Sequence, residues 1–191
     1  MRVLLGLAFA ALAGCSAPGP SFKNTDITGA DYGKDFALTD HTGRARTLAD
    51  FRGKVVVMFF GYTRCPDVCP TTLAELKAIK DQLGEEGKRV QVLFVTVDPE
   101  RDTAKLLANY VPAFDSSFLG LYGDTAATAK VAKEFKVFFQ KAPGKTPDAY
   151  TVDHTAGSYV FDPQGRLRLF ASHGNAANLA ADIRILLSGQ G

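Results

Sequence analysis

The stretch VVVMFFGYTRCPDVCP, residues 55–70, accounts for most of what this 191-residue sequence predicts. Residues 55–60 form a continuous apolar run, which is typical of a parallel strand buried on both faces of a sheet. Pro70 suits the first turn of a helix, and residues 71–83 place leucine and isoleucine at helical spacing. The two cysteines therefore lie where a central strand gives way to a helix, a position that α/β folds use for functional sites.

Strand and helix patterns alternate along the rest of the chain. The remaining predicted elements, each placed by apolar periodicity and by turn or capping residues, are a hairpin at 36–47, strands at 90–97 and 118–122, helices after Asp102, Asp124 and Asn175, and a hairpin at 159–170. This order predicts an α/β fold. It matches a thioredoxin-like three-layer sandwich with an N-terminal β-hairpin extension and a helix–strand insertion.

The composition excludes several classes of protein. Lys and Arg number 22 against 20 Asp and Glu, and the resulting charge of +2 gives little attraction for a polyanion. We therefore expect no nucleic-acid partner. The sequence has no apolar run of about 18–20 residues, so a multi-pass membrane protein is excluded. The 22% charged residues and the 14 phenylalanines argue against disorder.

Three cysteines, Cys15, Cys65 and Cys69, cannot all pair within one chain. Cys15 ends the segment MRVLLGLAFAALAGC, whose apolar part is too short to span a bilayer and is typical of a secretory signal. Its last four residues resemble the lipobox of bacterial lipoproteins, in which the cysteine becomes the lipid-bearing first residue. We expect residues 1–14 to be a lipoprotein signal peptide; an ordinary signal with an incidental cysteine is the alternative.

The predicted anchor sets the expected domain organisation and location. Residues 15–34 are rich in Gly, Pro, Ser and Asp, and they are interpreted as a lipid-anchored linker. The thioredoxin-like domain then spans 35–191. This arrangement predicts an exported protein on the periplasmic side of a bacterial membrane, tethered there through Cys15.

Cys65 and Cys69 are four residues apart near the positive end of a predicted helix. This end of a helix favours thiolate over thiol, and thiolates both attack disulfides and bind soft metals. The four-residue spacing allows both sulfurs to reach one ion, and it still allows a disulfide after local movement. A purely structural disulfide is the alternative, although closing so short a loop would stabilise the fold only weakly.

A third metal ligand would have to come from one of three histidines. His41 lies in a predicted turn, and His173 precedes the last helix, where it could support a ligand or cap that helix. His154 lies in a loop that faces the cysteine pair in a thioredoxin-like layout, so we expect it to be the ligand. Two thiolates and an imidazole suit copper, and zinc is the chemical rival.

Three motifs make a resemblance specific: CPDVCP at 65–70, VDPERD at 97–102 and VDH at 152–154. They resemble the Sco/SenC family, and the likeness runs from Phe36 to the last helix. The resemblance implies a thioredoxin-like fold and a copper chaperone that helps load the dinuclear copper centre of cytochrome c oxidase. It also implies that Cys65, Cys69 and His154 are the copper ligands. The motifs also contain Asp67 and Asp98, to which the sequence assigns no role.

The function predicted is therefore a metallochaperone rather than an enzyme. Its expected partners are the copper-bearing oxidase subunit and a protein that reduces thiols, because only the reduced pair can bind copper. A thiol–disulfide reductase is the alternative. Thioredoxins place a cis-proline opposite their cysteines, whereas Pro147 lies seven residues before His154, which weakens that alternative. A peroxidase is disfavoured because Thr63 is too close to Cys65 for the peroxiredoxin spacing.

Overall fold

A computed structural model describes residues 21–146 and 149–189, so Cys15, the predicted signal peptide and Pro147 lie outside the described residues. The strands are β1 Thr25–Asp26, β2 Leu38–Asp40, β3 Ala45–Arg46, β4 Val55–Gly61, β5 Val90–Thr96, β6 Leu119–Tyr122, β7 Phe139–Ala142, β8 Thr151–His154, β9 Ser158–Phe161 and β10 Leu167–Ala171. The α-helices are α1 Val68–Leu83, α2 Ala104–Tyr110, α3 Thr125–Glu134 and α4 Ala176–Leu187. Across this described part, no helix combines the length and the apolar character needed to cross a membrane.

Eight strands form one sheet in the order β1-β10-β9-β4-β5-β6-β2-β3. Strands β4, β5 and β6 are parallel, and β9 runs antiparallel to β4. Every residue of β4 is buried, because β5 and β9 cover its edges and other layers cover its faces. The predicted α/β, thioredoxin-like fold is confirmed, with β2–β3 as the hairpin extension and α2–β6 as the insertion.

Aromatic side chains fill both faces of the sheet. Successive residues of a strand point to opposite faces, so the neighbours Phe59 and Phe60 pack into different layers. The Phe59 ring lies 5.8 Å from Phe94, on the face that carries α1. The Phe60 ring lies 5.5 Å from Phe135 and 6.0 Å from Tyr159 on the other face. This double packing fixes the end of β4, where the cysteine loop begins.

The segment between residues 23 and 33 belongs to the folded domain and not to a linker. Strand β1 pairs with the edge of β10. The backbone N–H groups of Lys23 and Asn24 each donate to the buried carboxylate of Asp182 at 2.8 Å. The N–H of Gly33 donates to the carbonyl of Glu134 at 2.9 Å. The polar composition suggested a linker, but these residues are held by backbone pairing, which requires no apolar pattern.

Two predicted helix caps differ in the structure. Thr103 caps α2 by accepting from the N–H of Leu106, and Asp102 is buried one residue earlier. Asn175 precedes α4 but makes no side-chain capping hydrogen bond. The prediction that Asp124 caps α3 is confirmed, since its carboxylate accepts from the N–H of Ala127.

Strands β7 and β8 form a separate two-stranded hairpin that the sequence did not predict. Its register pairs Phe139 with His154. Most of its side chains are at least partly exposed, with Val152 buried, so it lacks the apolar alternation that marks a strand. This hairpin carries the histidine that the sequence singled out.

Candidate metal centre

The cysteine loop leaves β4 after Gly61 and enters α1 at Val68. The suitability of Pro70 for a first helical turn favoured a helix that starts at that residue. Instead Asp67 precedes the helix and makes no side-chain capping hydrogen bond, so Cys69 lies within the first turn. The earlier start turns the Cys69 side chain inward, where it is fully buried.

Gly61 makes room for the inner sulfur. A Cβ at this position would lie 2.9 Å from the Cys69 Sγ, 2.9 Å from the Phe94 ring and 3.0 Å from the Phe59 ring. These distances are too short for any side chain without displacement of a neighbour. The absence of a side chain at the end of β4 therefore allows the sulfur of α1 to pack against the central strand.

The two cysteines are free thiols in unlike surroundings. Cys65 is partly exposed, whereas Cys69 is buried. Burial raises the pKa of the Cys69 thiol far above its usual value, and the contact with Cys65 raises it further. The expectation that the helix end would favour the thiolate is therefore not met for Cys69, because the cost of burying a charge outweighs the backbone hydrogen bond at Tyr62 that lowers the pKa.

His154, the last residue of β8, faces the inner cysteine. Its Nε2 lies 3.8 Å from the Cys69 Sγ, so the structure brings this histidine to the inner cysteine. Its Nδ1 lies 3.0 Å from the carbonyl oxygen of Thr155. A carbonyl can only accept, so we infer that Nδ1 carries the proton and donates it. The lone pair of Nε2 is then directed at the sulfur, as a metal ligand requires.

The ring of His154 is held between aromatic side chains. It meets the Phe59 ring at 6.2 Å and the Tyr62 ring at 6.1 Å, both edge-on. These residues come from the end of β4 and from the start of the cysteine loop. The same short stretch of chain thus supplies both sulfurs and two walls of the histidine site.

The other two histidines take different places. His41 is partly buried, and its Nδ1 accepts from the N–H of Gly120 at 3.0 Å, which gives it a structural role. The ring of His173 lies 5.2 Å from the Phe59 ring, near the candidate site. Its two nitrogens have no hydrogen-bond partner within the described ranges, and burial lowers its pKa. Neither histidine contacts a cysteine in the hydrogen bonds described.

Within residues 21–146 and 149–189, no three Cys, His, Asp or Glu side chains are already gathered as a set that could hold a metal ion. The structure brings together Cys69 with His154 and Cys69 with Cys65. The three-ligand set is therefore a proposal about the loaded protein.

The sequence assigned no role at this site to Asp98 or Asp102. Asp102 accepts hydrogen bonds from the N–H and hydroxyl of Thr63 and from the hydroxyl of Thr96, so it ties the cysteine loop to β5. Asp98, in the VDPERD motif, is buried and contacts Arg101 and Tyr150. The VDPERD motif was the only sign in the sequence that Asp98 matters, because its partner Tyr150 lies far along the chain.

The site has two thiols just after the central strand of a thioredoxin-like sheet, and an imidazole faces the inner thiol. These features define a class of thioredoxin-like proteins that have a cysteine pair and a nearby histidine. The family model described as SCO1/SenC matches residues 24–188. The chain belongs to the SCO1/SenC family.

Relatives and solved structures agree with this assignment. The protein SCO2 homolog of Bos taurus is 41% identical over 150 residues, which cover 78% of this chain and 56% of that protein. The chain thus spans about half the length of the curated relatives it matches. The Bradyrhizobium japonicum ScoI structure with copper bound is 41% identical, with a TM-score of 0.74, covering 82% of this chain and 99% of that one. The apo Sco1 structure from Thermus thermophilus is 43% identical, with a TM-score of 0.77. The match covers 87% of this chain and 97% of that one.

Proposed function

We propose that this protein is a copper chaperone that binds one copper ion through Cys65, Cys69 and His154. It delivers the ion for assembly of the dinuclear copper centre of cytochrome c oxidase. The observation that carries the proposal is the 3.8 Å approach of the His154 Nε2 to the Cys69 Sγ beside a second free thiol. The copper-bound ScoI structure supports it, since that protein is 41% identical over most of this chain.

The donor set favours copper over zinc. Two thiolates and one imidazole are soft and borderline donors, and they suit copper(I) in three-coordinate form. Zinc prefers four tetrahedral ligands, so it would need a water molecule beside these three. Met58 is buried inside β4, so it is not available to the loop as a further sulfur ligand.

Loading is coupled to proton release. The Cys69 thiol is held protonated by burial, so a metal ion that binds its sulfur must displace that proton. The partly exposed Cys65 offers the first sulfur to an arriving ion. The same exposure gives an acceptor protein access to the ion during handover. Because a disulfide cannot bind copper, a thiol-reducing protein is a required partner.

We further propose that residues 1–14 are a signal peptide and that Cys15 carries a lipid. The domain would then be exported and held at the periplasmic side of a membrane, close to an oxidase subunit. The support is the lipobox-like end of the apolar segment before Cys15. Cys15→Ser should abolish incorporation of labelled fatty acid in cells; unchanged incorporation would contradict the anchor.

The proposal is tested by titrating the reduced protein with copper. It should bind one equivalent, and the copper(II) form should show a sulfur-to-copper charge-transfer band. Cys65→Ser, Cys69→Ser and His154→Ala should each weaken binding and change the band. His41→Ala is the matched control, because His41 bonds the Gly120 backbone away from the site. Unchanged affinity and spectrum in His154→Ala would remove that residue from the ligand set.

A second assay separates the chaperone from the reductase alternative. A chaperone should transfer copper to an isolated copper-binding domain of an oxidase subunit, and transfer should depend on His154. A reductase should turn over a protein disulfide with Cys65 and Cys69 alone. Disulfide turnover that His154→Ala leaves unaffected, together with no copper transfer, would favour the reductase.

A further inference from the structure

His154 is carried by the β7–β8 hairpin, which lies outside the eight-stranded sheet. The position of the proposed third ligand therefore depends on what ties this hairpin to the body of the domain. Backbone pairing within the hairpin joins β7 only to β8. Side-chain contacts to the segment after β5 supply part of the connection, beside the packing of the buried Val152 into the core.

Asp98 is the buried centre of such a contact. Its side chain is fully buried, and its Oδ1 accepts from the hydroxyl of Tyr150 at 2.7 Å. Its Oδ2 accepts from the Nε of Arg101 at 2.5 Å. A buried carboxylate is stable only with such charged and polar partners, so these bonds are strong and directional. The carboxylate is thereby shared between the main body and the chain that leads into β8.

Arg101 also contacts Tyr150 directly, in two ways. Its guanidinium lies 3.5 Å from the centre of the Tyr150 ring, and its Nη1 donates to the Tyr150 carbonyl at 2.9 Å. Stacking on the ring and bonding to the backbone fix both the side chain and the main chain of Tyr150. Burial and the bond to Asp98 raise the pKa of Tyr150 to about 12, which keeps its hydroxyl a donor. Tyr150 immediately precedes Thr151, the first residue of β8.

The contact extends to both strands of the hairpin and to the wall of the site. Lys141 of β7 pairs with Glu100 at 2.6 Å. The Arg101 guanidinium also lies 5.8 Å from the Tyr62 ring, against which His154 packs. A continuous set of contacts therefore links the VDPERD motif to the histidine four residues beyond Tyr150.

We propose that Asp98, Arg101 and Tyr150 form a latch that positions His154 opposite the cysteine pair and so sets how strongly the histidine contributes to copper binding. The three latch residues act through His154 and do not themselves contact the metal. This inference rests on the proposed function and gives the VDPERD motif a role. It predicts coupling between the latch and His154 that a general effect on stability would not produce.

A double-mutant cycle tests the coupling. Tyr150→Phe keeps the ring under Arg101 and removes only the hydroxyl bond to Asp98. In the otherwise unaltered reduced protein it should weaken copper binding about tenfold, the loss expected from one hydrogen bond to a charged group. In the His154→Ala background the same change should alter the affinity less than about twofold. Equal weakening in both backgrounds, or no weakening in either, would overturn the latch.

The chain offers matched controls for each change. Arg46 pairs with the buried Asp40 at 2.7 Å and lies over the Phe51 ring, an equivalent arrangement on the β2–β3 hairpin. Arg101→Lys should weaken copper binding, whereas Arg46→Lys should lower only the stability. Tyr159→Phe likewise removes a buried hydroxyl bond, to the Phe135 carbonyl. An equal loss of copper affinity in the Arg101 and Arg46 variants would contradict the proposal.

Two further measurements distinguish the latch from the ligand set. In the copper(II) form, Tyr150→Phe should reduce the nitrogen hyperfine splitting that His154 contributes to the electron paramagnetic resonance spectrum. Without any metal, it should speed hydrogen exchange of the β8 amides relative to those of β4. If His154→Ala alone does not weaken copper binding, the ligand set fails, and the effect of the latch on copper fails with it; faster β8 exchange would then show only that Tyr150 holds β8 in place. Unchanged β8 exchange would overturn the latch whatever the ligand set.

Discussion

At the scale of single residues, the site pairs two thiols that differ in exposure. Cys69 is buried beside Gly61, whereas Cys65 is partly exposed. Burial raises the pKa of the Cys69 thiol, so we expect its sulfur to react more slowly than that of Cys65. This asymmetry suits ordered loading, with Cys65 contacting the ion first and Cys69 and His154 closing on it.

The difference between the thiols predicts selective modification. At pH 8, iodoacetamide should alkylate Cys65 at least about tenfold faster than Cys69, since only a thiolate reacts and burial disfavours that of Cys69. Peptide mass spectrometry of the reduced protein measures both rates. In 8 M urea, where neither side chain is buried, the two rates should converge. Equal rates in the folded protein would show that Cys69 is not shielded.

The sequence identified the three candidate ligands but not the latch or the orienting partner of His154. Cys65 and Cys69 are recognisable because they lie four residues apart at the end of an apolar strand. His154 was predicted from the expected facing loop and the VDH motif. The bond from its Nδ1 to the Thr155 carbonyl depends on backbone geometry, and the pairing of Asp98 with Tyr150 joins residues 52 positions apart. Neither has a local pattern that could reveal it.

At the scale of elements, the two hairpins show what local pattern can and cannot predict. The β2–β3 hairpin was expected from its turn residues, and the β7–β8 hairpin was missed because its side chains are mostly exposed. The two strands of the β7–β8 hairpin are held by contacts with residues that are distant in the sequence. The central strand and α1 were predicted well because burial imposes a regular apolar pattern on both.

Asp40, at the turn of the β2–β3 hairpin, should make the free energy of unfolding depend on pH. Burial opposes the charge of Asp40, but hydrogen bonds from Thr42 and Arg46 outweigh it and lower the pKa to about 2. The folded state thus binds fewer protons than the unfolded state, so the stabilisation is present above about pH 4 and is lost as the pH falls through about 2.

Asp40→Asn should accordingly lower the free energy of unfolding by about 2 kcal/mol at pH 7, from the lowered pKa. The difference between the two proteins should shrink toward pH 2, where the carboxylate of the unaltered protein becomes protonated. Urea unfolding at both pH values measures it. A difference that is the same at pH 7 and at pH 2 would contradict the electrostatic explanation.

At the scale of the whole molecule, the folded domain begins earlier in the chain than the composition of residues 15–34 indicated. Strand β1 completes one edge of the sheet, and Lys23 and Asn24 satisfy the carboxylate of Asp182 on α4. The family model also begins within this segment, at residue 24. Polar residues that pair through their backbone resemble a linker in composition, and this explains the missed boundary.

A shortened protein tests this boundary. A chain that begins at residue 35 loses β1 and leaves the buried Asp182 without three of its hydrogen bonds. It should be less stable than a chain that begins at residue 21 by at least about 3 kcal/mol, because a buried charge loses its partners. Urea unfolding of the two chains gives the difference. Equal stability would place residues 21–34 outside the domain after all.

The central claim is that one copper ion binds to two sulfurs and one imidazole nitrogen. X-ray absorption spectroscopy of the reduced protein loaded with one equivalent of copper(I) tests it most directly. The expected spectrum contains two sulfur donors and one histidine nitrogen, and His154→Ala should remove the nitrogen while the sulfurs remain. A copper environment without sulfur, or a histidine signal that persists in His154→Ala, would contradict the assignment of Cys65, Cys69 and His154 as the ligands.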